Sequence, residues 1–262
     1  MNSGRRYRTW GDASKPAVVM LHGFLGRADD WEALAQSLSR DFFCIAIDLP
    51  GHGNASIADD ESFATAAADI VEVIDDCGAD TFSLVGYSMG GRLALYMSLQ
   101  YAMRVDALVL ESASPGLESG EAREKRRTWD DAKAKAILAM PLEFFVREWY
   151  SQPLFASLAH HPELLASLIE SRCENDPALV AKAMRLLGTG RQESLWDELP
   201  EHRVRTLCVA GSLDEKYTGI AHRMAGAAVD TTALIVDAAG HNVHAEQPEA
   251  FTEAVSAFLR GA

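Results

Sequence analysis

The chain has 262 residues and carries 24 Lys and Arg against 38 Asp and Glu, which gives a formal net charge of −14 at pH 7. Hydrophobic residues make up 48% and charged residues 24%, an ordinary globular composition that excludes disordered, collagen-like and coiled-coil classes. The acidic balance argues against nucleic acid or an anionic membrane as a partner, because both would be repelled. A small anionic substrate is still allowed, since a buried basic pocket can oppose the net charge locally.

Short apolar runs recur along the chain and predict the strands of a mostly parallel sheet flanked by helices. The runs lie at residues 17–21, 42–47, 82–85, 107–110, 206–209 and 232–236, and an alternating stretch at 6–10 predicts an edge strand. Apolar positions 63, 67, 70 and 74 follow a helical spacing and predict an amphipathic helix. A last helix is predicted to begin near Pro248, with Phe251, Val255 and Phe258 on one face.

The alternation of strands and helices stops between residues 115 and 200, where helical patterns separated by prolines predict no strand. We therefore predict an α/β core formed by residues 1–114 and 201–262, with residues 115–200 inserted as a helical cap. The cap is expected to cover the carboxyl ends of the strands, where open α/β sheets bind ligands. No export signal or membrane span is predicted, because the longest apolar run has six residues.

The sequence Gly86-Tyr87-Ser88-Met89-Gly90 follows one predicted strand and precedes a helical pattern at residues 92–101. G-x-S-x-G between a strand and a helix is typical of a nucleophile elbow, in which a sharp turn exposes the serine hydroxyl. The turn leaves no room for side chains at the two glycines, and the helix N-terminus favours a developing anion. The alternative is an ordinary serine in a glycine-rich turn, but the context favours Ser88 as the reactive group.

A reactive serine needs a base, and the base needs an orienting carboxylate, in the chain order Ser, Asp or Glu, His. Asp214 and His241 each follow a predicted strand in that order, so both are expected beside Ser88 at the carboxyl edge of the sheet. Glu215 is the rival carboxylate, and Asp237 is a weaker one.

A site with a reactive serine is also expected to contain an oxyanion hole. Phe24 follows the first long strand, where this type of site places one backbone N–H, and Met89 supplies the other. His22 and His52 are predicted to be structural residues that bond to nearby loops.

Metal and cofactor sites are not predicted. The pair His160-His161 lies beside a proline without a carboxylate pattern around it, and no phosphate-binding glycine motif occurs. The cysteines at positions 44, 77, 173 and 208 are too scattered for a zinc site or a disulfide framework, which favours a reducing cytoplasm. A monomer or a small homo-oligomer is expected.

Across essentially its whole length the sequence resembles the α/β-hydrolase superfamily. More narrowly it resembles the 2-succinyl-6-hydroxy-2,4-cyclohexadiene-1-carboxylate synthases, which are lyases of menaquinone biosynthesis. The segments that carry the likeness are DLPGHG at 48–53, GYSMGGR at 86–92, SPGL at 114–117, the basic stretch that ends at Arg126-Arg127, WYSQPLF at 149–155 and GHN at 240–242.

The resemblance implies that pyruvate is eliminated from a substrate with three carboxylates, which Arg92, Arg126 and Arg172 would bind. Planar guanidinium groups suit this role because they bind carboxylates through two hydrogen bonds. Tyr87 and Trp149 would shape the pocket. Without the resemblance, the arginines would be interpreted as solvated charges paired with the acidic residues Glu118, Glu121 and Glu124.

The mechanism implied by the resemblance uses the triad as a base. His241, oriented by Asp214, deprotonates Ser88, and the serine oxygen removes the proton next to the succinyl ketone. Two other functions remain open at this point. One is a serine hydrolase acting on an ester, thioester or carbon–carbon bond, and the other is a non-catalytic ligand receptor.

Overall fold

The structure is a computed structural model that describes residues 6–261. Its centre is a seven-stranded sheet with the strand order β1-β3-β2-β4-β5-β6-β7, in which only the β1–β3 pair is antiparallel. The predicted mostly parallel sheet with an added edge strand is confirmed. The strands are β1 (Tyr7–Trp10), β2 (Ala17–Leu21), β3 (Phe43–Ile47), β4 (Phe82–Tyr87), β5 (Val105–Glu111), β6 (Thr206–Gly211) and β7 (Thr231–Val236).

Helices cover both faces of the sheet and its carboxyl edge. They are α1 (Glu32–Leu38), α2 (Phe63–Asp76), α3 (Met89–Gln100), α4 (Gly120–Ala139), α5 (Leu142–Tyr150), α6 (Pro162–Arg172), α7 (Pro177–Leu187), α8 (Glu215–Ala227), α9 (Val243–Glu246) and α10 (Pro248–Arg260). Three 3₁₀ helices occupy Ala28–Trp31, Pro153–His160 and Trp196–Glu201. None of the helices in the range 6–261 is both long and apolar enough to cross a membrane.

Two hydrophobic layers cover the faces of the sheet, because successive strand residues point to opposite sides. In β2, Val19 and Leu21 join one layer, whereas Val18 and Met20 join the other. Strand β2 is therefore apolar at every position, as expected for the interior of a parallel sheet.

The apolar face of α10 contains the three predicted residues and also Leu259. Phe251, Val255 and Leu259 are buried, whereas Phe258 is only partly buried and lies 4.0 Å from the guanidinium of Arg205. The spacing of four residues keeps the buried side chains on one stripe of the helix, and Phe258 lies at the edge of this stripe and packs against the same cluster.

Between β5 and β6 the described chain contains helices and no strand. Residues of α4 to α7 and of the 3₁₀ helix Pro153–His160 share a third hydrophobic cluster, separate from the two layers on the sheet. Leu195 and Leu199, further along the segment, pack instead into one of the sheet layers. Helices α4 to α7 and that 3₁₀ helix, called the cap from here on, contribute one wall of the cavity described below.

Candidate active site

Ser88 lies in a strained turn between β4 and α3. Its backbone adopts φ +50° and ψ −106°, and its N–H donates to the carbonyl of Glu111 on the neighbouring strand at 2.8 Å. A Cβ at Gly86 would lie 2.6 Å from the Cα of Gly91, and one at Gly90 would lie 2.2 Å from the carbonyl oxygen of Leu21. The turn therefore requires glycine on both sides of the serine, as the motif predicted. Helix α3 begins at Met89, three residues before the predicted start at residue 92. The sequence pattern missed this first turn because Gly90 and Gly91 have weak helix propensity.

The structure brings Ser88, His241 and Asp214 into hydrogen-bond contact. His241 Nε2 lies 3.1 Å from Ser88 Oγ, and its Nδ1 lies 2.8 Å from Asp214 Oδ2. A carboxylate accepts only, so Nδ1 carries the proton and Nε2 is left to accept from the serine hydroxyl. The rival carboxylates Glu215 and Asp237 are exposed and do not bond to His241.

Backbone contacts hold the carboxylate in place. Asp214 is only 7% exposed and caps the N-terminus of α8, where its second oxygen accepts the N–H of Tyr217 at 3.2 Å. The ring of Tyr217 lies 4.6 Å from that of His241. The orientation of the imidazole is therefore set by a buried partner on one side and an aromatic ring on another.

Two backbone amides are available beside the serine. Met89 is the first residue of α3, so its N–H has no acceptor four residues earlier within the helix. Among residues 6–261 the N–H of Phe24 has no hydrogen-bond acceptor. Both residues line the same cavity as Ser88. This placement suits the oxyanion hole expected of Phe24 and Met89.

His22 and His52 bond to backbone beneath the site. His22 Nε2 accepts the N–H of Leu49 at 2.9 Å, and its Nδ1 donates to the carbonyl of Gly23 at 2.7 Å. His52 Nδ1 donates to the carbonyl of Pro50 at 3.1 Å. Both histidines are 1% exposed, and burial lowers the pKa of each, in His52 to about 3.

A cavity of about 620 Å³ lies between the carboxyl edge of the sheet and the cap. Ser88 and His241 form its floor, and Trp149 of α5 contributes to the cap side with its ring 5.0 Å from that of Phe24. Tyr87 is 8% exposed and contacts the ring of His241 at 5.5 Å. Tyr87 and Trp149 therefore both lie where a pocket-shaping role would place them.

Arg92 is a buried cation at the wall of this cavity. It is 7% exposed, and its guanidinium donates to the carbonyl of Leu187 at 3.1 Å and to Gln192 Oε1 at 3.3 Å. No carboxylate of residues 6–261 lies within ion-pair distance of it. Burial lowers the pKa of Arg92 to about 10, which still leaves it protonated at neutral pH.

Arg126 approaches the cavity from α4. Its Nε donates to the buried carboxylate of Asp130 at 2.7 Å, and its guanidinium lies 4.5 Å from the ring of Trp129. Asp130 in turn accepts the N–H of Gly190 at 3.0 Å. Because Asp130 takes the Nε edge, the outer edge of the guanidinium is left for another acceptor.

Arg172 ends α6 and is the most enclosed of the three, with only 4% of its side chain exposed. It donates to Asp30 at 2.7 Å and to the hydroxyl of Tyr150 at 3.3 Å. Burial alone would lower the pKa of Arg172, but its interactions with the Tyr150 hydroxyl and the carboxylate of Asp30 raise it above the ordinary value. The acidic residues expected as surface partners bond elsewhere: Glu118 pairs with Arg223, and Glu124 with Arg127.

Sequence reasoning missed the groups that hold these arginines. Asp130 stands four residues after Arg126 on one helix, a spacing that could have indicated the ion pair. Asp30 and Gln192 carry no such signal, because they are distant in the chain from Arg172 and Arg92 and meet them only in the folded protein.

No group of three or more His, Cys, Asp or Glu in residues 6–261 is arranged to hold a metal ion. The four cysteines are free, and burial raises the pKa of Cys44 and Cys208 to about 12. These two thiols are inert core residues.

Comparison with known proteins agrees with this fold. A family model described as the alpha/beta hydrolase fold matches residues 16–185. The sheet, the serine turn and the histidine and aspartate after later strands thus define a protein of the α/β-hydrolase class.

Individual relatives of high sequence identity identify the family within this class. A putative 2-succinyl-6-hydroxy-2,4-cyclohexadiene-1-carboxylate synthase of Bacillus subtilis is 38% identical, over 95% of this chain and 92% of that protein. The structure of MenH from S. aureus has a TM-score of 0.93 and 33% identity, and covers 98% of each chain. PHYLLO of Arabidopsis thaliana is 33% identical over 95% of this chain, which spans only 16% of its length. The chain belongs to the 2-succinyl-6-hydroxy-2,4-cyclohexadiene-1-carboxylate synthase family, a branch of the α/β hydrolases.

Proposed function

We propose that this enzyme is a lyase that eliminates pyruvate from 2-succinyl-5-enolpyruvyl-6-hydroxy-3-cyclohexene-1-carboxylate. The other product is 2-succinyl-6-hydroxy-2,4-cyclohexadiene-1-carboxylate, in menaquinone biosynthesis. Family membership supports this assignment, and so does a cavity that combines an activated serine with three guanidinium groups. Its volume of about 620 Å³ is within the usual range for small-molecule sites. A cytoplasmic location stays a prediction.

The triad works as a proton-abstracting base in this proposal. Ser88 gives its proton to Nε2 of His241, and the serine oxygen takes the proton from ring carbon 2, next to the succinyl ketone. The released electron pair forms the 2,3 double bond, the ring double bond moves to the 4,5 position, and the bond from carbon 5 to the enolpyruvyl oxygen breaks. The leaving enolpyruvate takes the proton from His241 and becomes pyruvate.

The backbone amides and the arginines stabilise negative charge at different places. The N–H groups of Phe24 and Met89 receive the enolate oxygen that develops on the succinyl ketone. Arg92, Arg126 and Arg172 bind the carboxylates of the substrate and so hold carbon 2 over the serine oxygen.

The observation that carries the proposal is Arg92. A buried cation without a carboxylate partner is costly to the folded protein unless a ligand supplies the opposite charge. Arg92 faces the same cavity as Ser88, so the missing partner is an anionic group of the substrate. An apolar ester or a neutral amide would leave this charge unpaired, which favours the carboxylate-rich substrate over the substrates of an ordinary esterase.

Substrate deuterated at ring carbon 2 tests the proposal, with pyruvate followed through lactate dehydrogenase. We expect pyruvate release with complete loss of deuterium from the ring product. Ser88→Ala should slow release by at least about 100-fold, the usual scale for a positioned acid–base group. Ser14→Ala is the matched control, because Ser14 is exposed and absent from the cavity lining. Pyruvate release with the label retained, or full activity in Ser88→Ala, would contradict the mechanism.

A further inference from the structure

The carboxylate of Glu246 bridges the two backbone amides on either side of His241. Its Oε2 accepts the N–H of Gly240 at 3.0 Å, and its Oε1 accepts the N–H of Asn242 at 3.3 Å. Gly240 and Asn242 are buried, and Glu246 itself is 6% exposed. Water therefore does not reach these amides freely, and the carboxylate is the acceptor that satisfies both.

The other side of the same loop is tied to the turn that carries Asp214. Leu213 donates its N–H to the carbonyl of Ala239 at 2.9 Å, and Ala238 donates its N–H to Ser212 Oγ at 3.0 Å. These bonds hold the residues before His241 against the aspartate turn. On the opposite side, bonds to Glu246 hold the residues directly adjoining the histidine.

The loop needs this second restraint because of Gly240. A Cβ at this position would lie 1.9 Å from Ser157 Oγ of the cap, so the close packing of the cap on the loop requires glycine. Glycine gives the backbone more conformational freedom than any other residue. The same residue that lets the cap approach His241 therefore loosens the backbone beside it.

We propose that Glu246 is a positioning residue for His241. By holding the amides of residues 240 and 242 it keeps the imidazole Nε2 at 3.1 Å from Ser88 Oγ. In Glu246→Gln one of the two oxygens becomes an NH₂ group, which cannot accept from a backbone N–H, so one side of the restraint is lost. The proposal rests on the proposed function for its reaction, but the contact between Ser88 and His241 can be measured without the natural substrate.

Labelling of Ser88 by a fluorophosphonate gives that measurement. The serine oxygen forms a bond to phosphorus, fluoride leaves, and the hydroxyl proton passes to His241, so the labelling rate reports on the imidazole position. Glu246→Gln should lower both the labelling rate and kcat for pyruvate release by about 10-fold or more, since small misplacements of reacting groups are costly. KM should stay within about 2-fold, because Glu246 is absent from the cavity lining. Glu249→Gln, an exposed residue three positions along, should match the wild type.

The same substitution in the His241→Ala variant distinguishes positioning of His241 from a general loosening of the loop. In His241→Ala, adding Glu246→Gln should leave the residual labelling rate unchanged, because no imidazole remains to be positioned. An equal fall in that background, or wild-type labelling in folded Glu246→Gln, would overturn the proposal. If Glu246→Gln does not fold, Glu246→Asp replaces it, because the shorter carboxylate cannot reach both amides. Labelling of Glu246→Asp at the wild-type rate would also overturn the positioning role of Glu246. A wild-type enzyme that labels at Ser88 but releases no pyruvate would contradict the proposed function alone.

Discussion

At the scale of single residues, the three cavity arginines differ in what their own chain offers them. Arg172 meets the carboxylate of Asp30, and Arg126 meets that of Asp130. Arg92 instead meets an amide oxygen, a carbonyl oxygen and the ring of Phe63 at 5.5 Å. A buried charge contributes to stability only when an opposite charge accompanies it. In the proposed function Arg92 therefore binds the substrate at a cost to the stability of the free enzyme, whereas Arg172 also contributes to the folded structure through its pair with Asp30.

Replacement of Arg92 or Arg172 by methionine should separate these roles. Arg92→Met should raise KM by about one to two decades, the value of a charge-assisted contact of ~1.5–3 kcal/mol, and change the free energy of unfolding little. Arg172→Met should raise KM too, but it leaves the largely enclosed carboxylate of Asp30 without its ion-pair partner and should lower the free energy of unfolding by about 3 kcal/mol. Kinetics and urea unfolding measure the two effects, with exposed Arg40→Met as control. An equal loss in the free energy of unfolding in Arg92→Met and Arg172→Met would contradict this difference between the two arginines.

At the scale of elements, the loops that follow β2 and β3 pack two neutral imidazoles against each other. The rings of His22 and His52 lie 5.2 Å apart, and that of Phe24 lies 5.6 Å from His52. These loops carry Phe24, one of the two proposed oxyanion donors. Protonation of either imidazole would place an unpaired charge in this packing and so disturb the floor of the site.

The lowered pKa of His52 predicts a loss of stability in acid. The pKa is about 3 in the folded protein against an ordinary 6.5, so the unfolded chain binds more protons below pH 6.5. The contribution of His52 to the free energy of unfolding is fully present above pH 6.5 and declines as the pH falls towards 3. At pH 5 it is about 2 kcal/mol smaller than at pH 8. In urea unfolding at pH 8 and pH 5, His52→Gln should lose about 2 kcal/mol less than the wild type. The exposed control His160→Gln should behave as the wild type. If His52→Gln showed the same pH dependence as the wild type, His52 would not be the cause of the loss of stability in acid.

At the scale of the whole molecule, the buried side chain of Asn175 joins the cap to the core, in addition to the pair of Arg172 with Asp30. Asn175, between α6 and α7, donates to the carbonyl of Leu25 at 2.8 Å and accepts the N–H of Gly53 at 3.2 Å. It is 5% exposed, so its removal leaves buried polar groups without partners. Neighbouring Glu174 also reaches the core, at Arg27, but 59% of its side chain is exposed.

Asn175→Ala should therefore loosen the cap, and Glu174→Gln should not. We expect Asn175→Ala to destabilise cap docking by about 1–3 kcal/mol, the cost of unsatisfied buried groups. Amide hydrogen exchange should rise in α6, α7 and the loop after β3, and KM should increase because Arg172 shares this cap. An exposed ion pair contributes little, so Glu174→Gln should exchange as the wild type does. Similar exchange in both variants would rule out Asn175 as the main tie.

The sequence alone determined the fold class and the position of the reactive serine, because both depend on local patterns. The apolar runs mark buried parallel strands, and the spacing of Gly86, Ser88 and Gly90 is imposed by a turn without room for side chains. Ser88, Asp214 and His241 were expected to meet because each follows a strand of a parallel sheet, and such strands end at one edge. The three cavity arginines were found only through a family resemblance, since an arginine on a predicted helix carries no local sign of burial.

Only the tertiary structure decided which charges are paired. Asp30 meets Arg172 across 142 positions of the chain, and Gln192 meets Arg92 across 100, so no short-range pattern could reveal either contact. The sequence favoured Asp214 as the partner of His241 and left the adjacent Glu215 as a rival. The start of α8 turns Asp214 inward and leaves Glu215 exposed. Glu246 carried no signal either, because its role lies in accepting backbone N–H groups, and any sequence supplies those. Side-chain identity is local information, but burial and pairing depend on how distant segments close around one cavity.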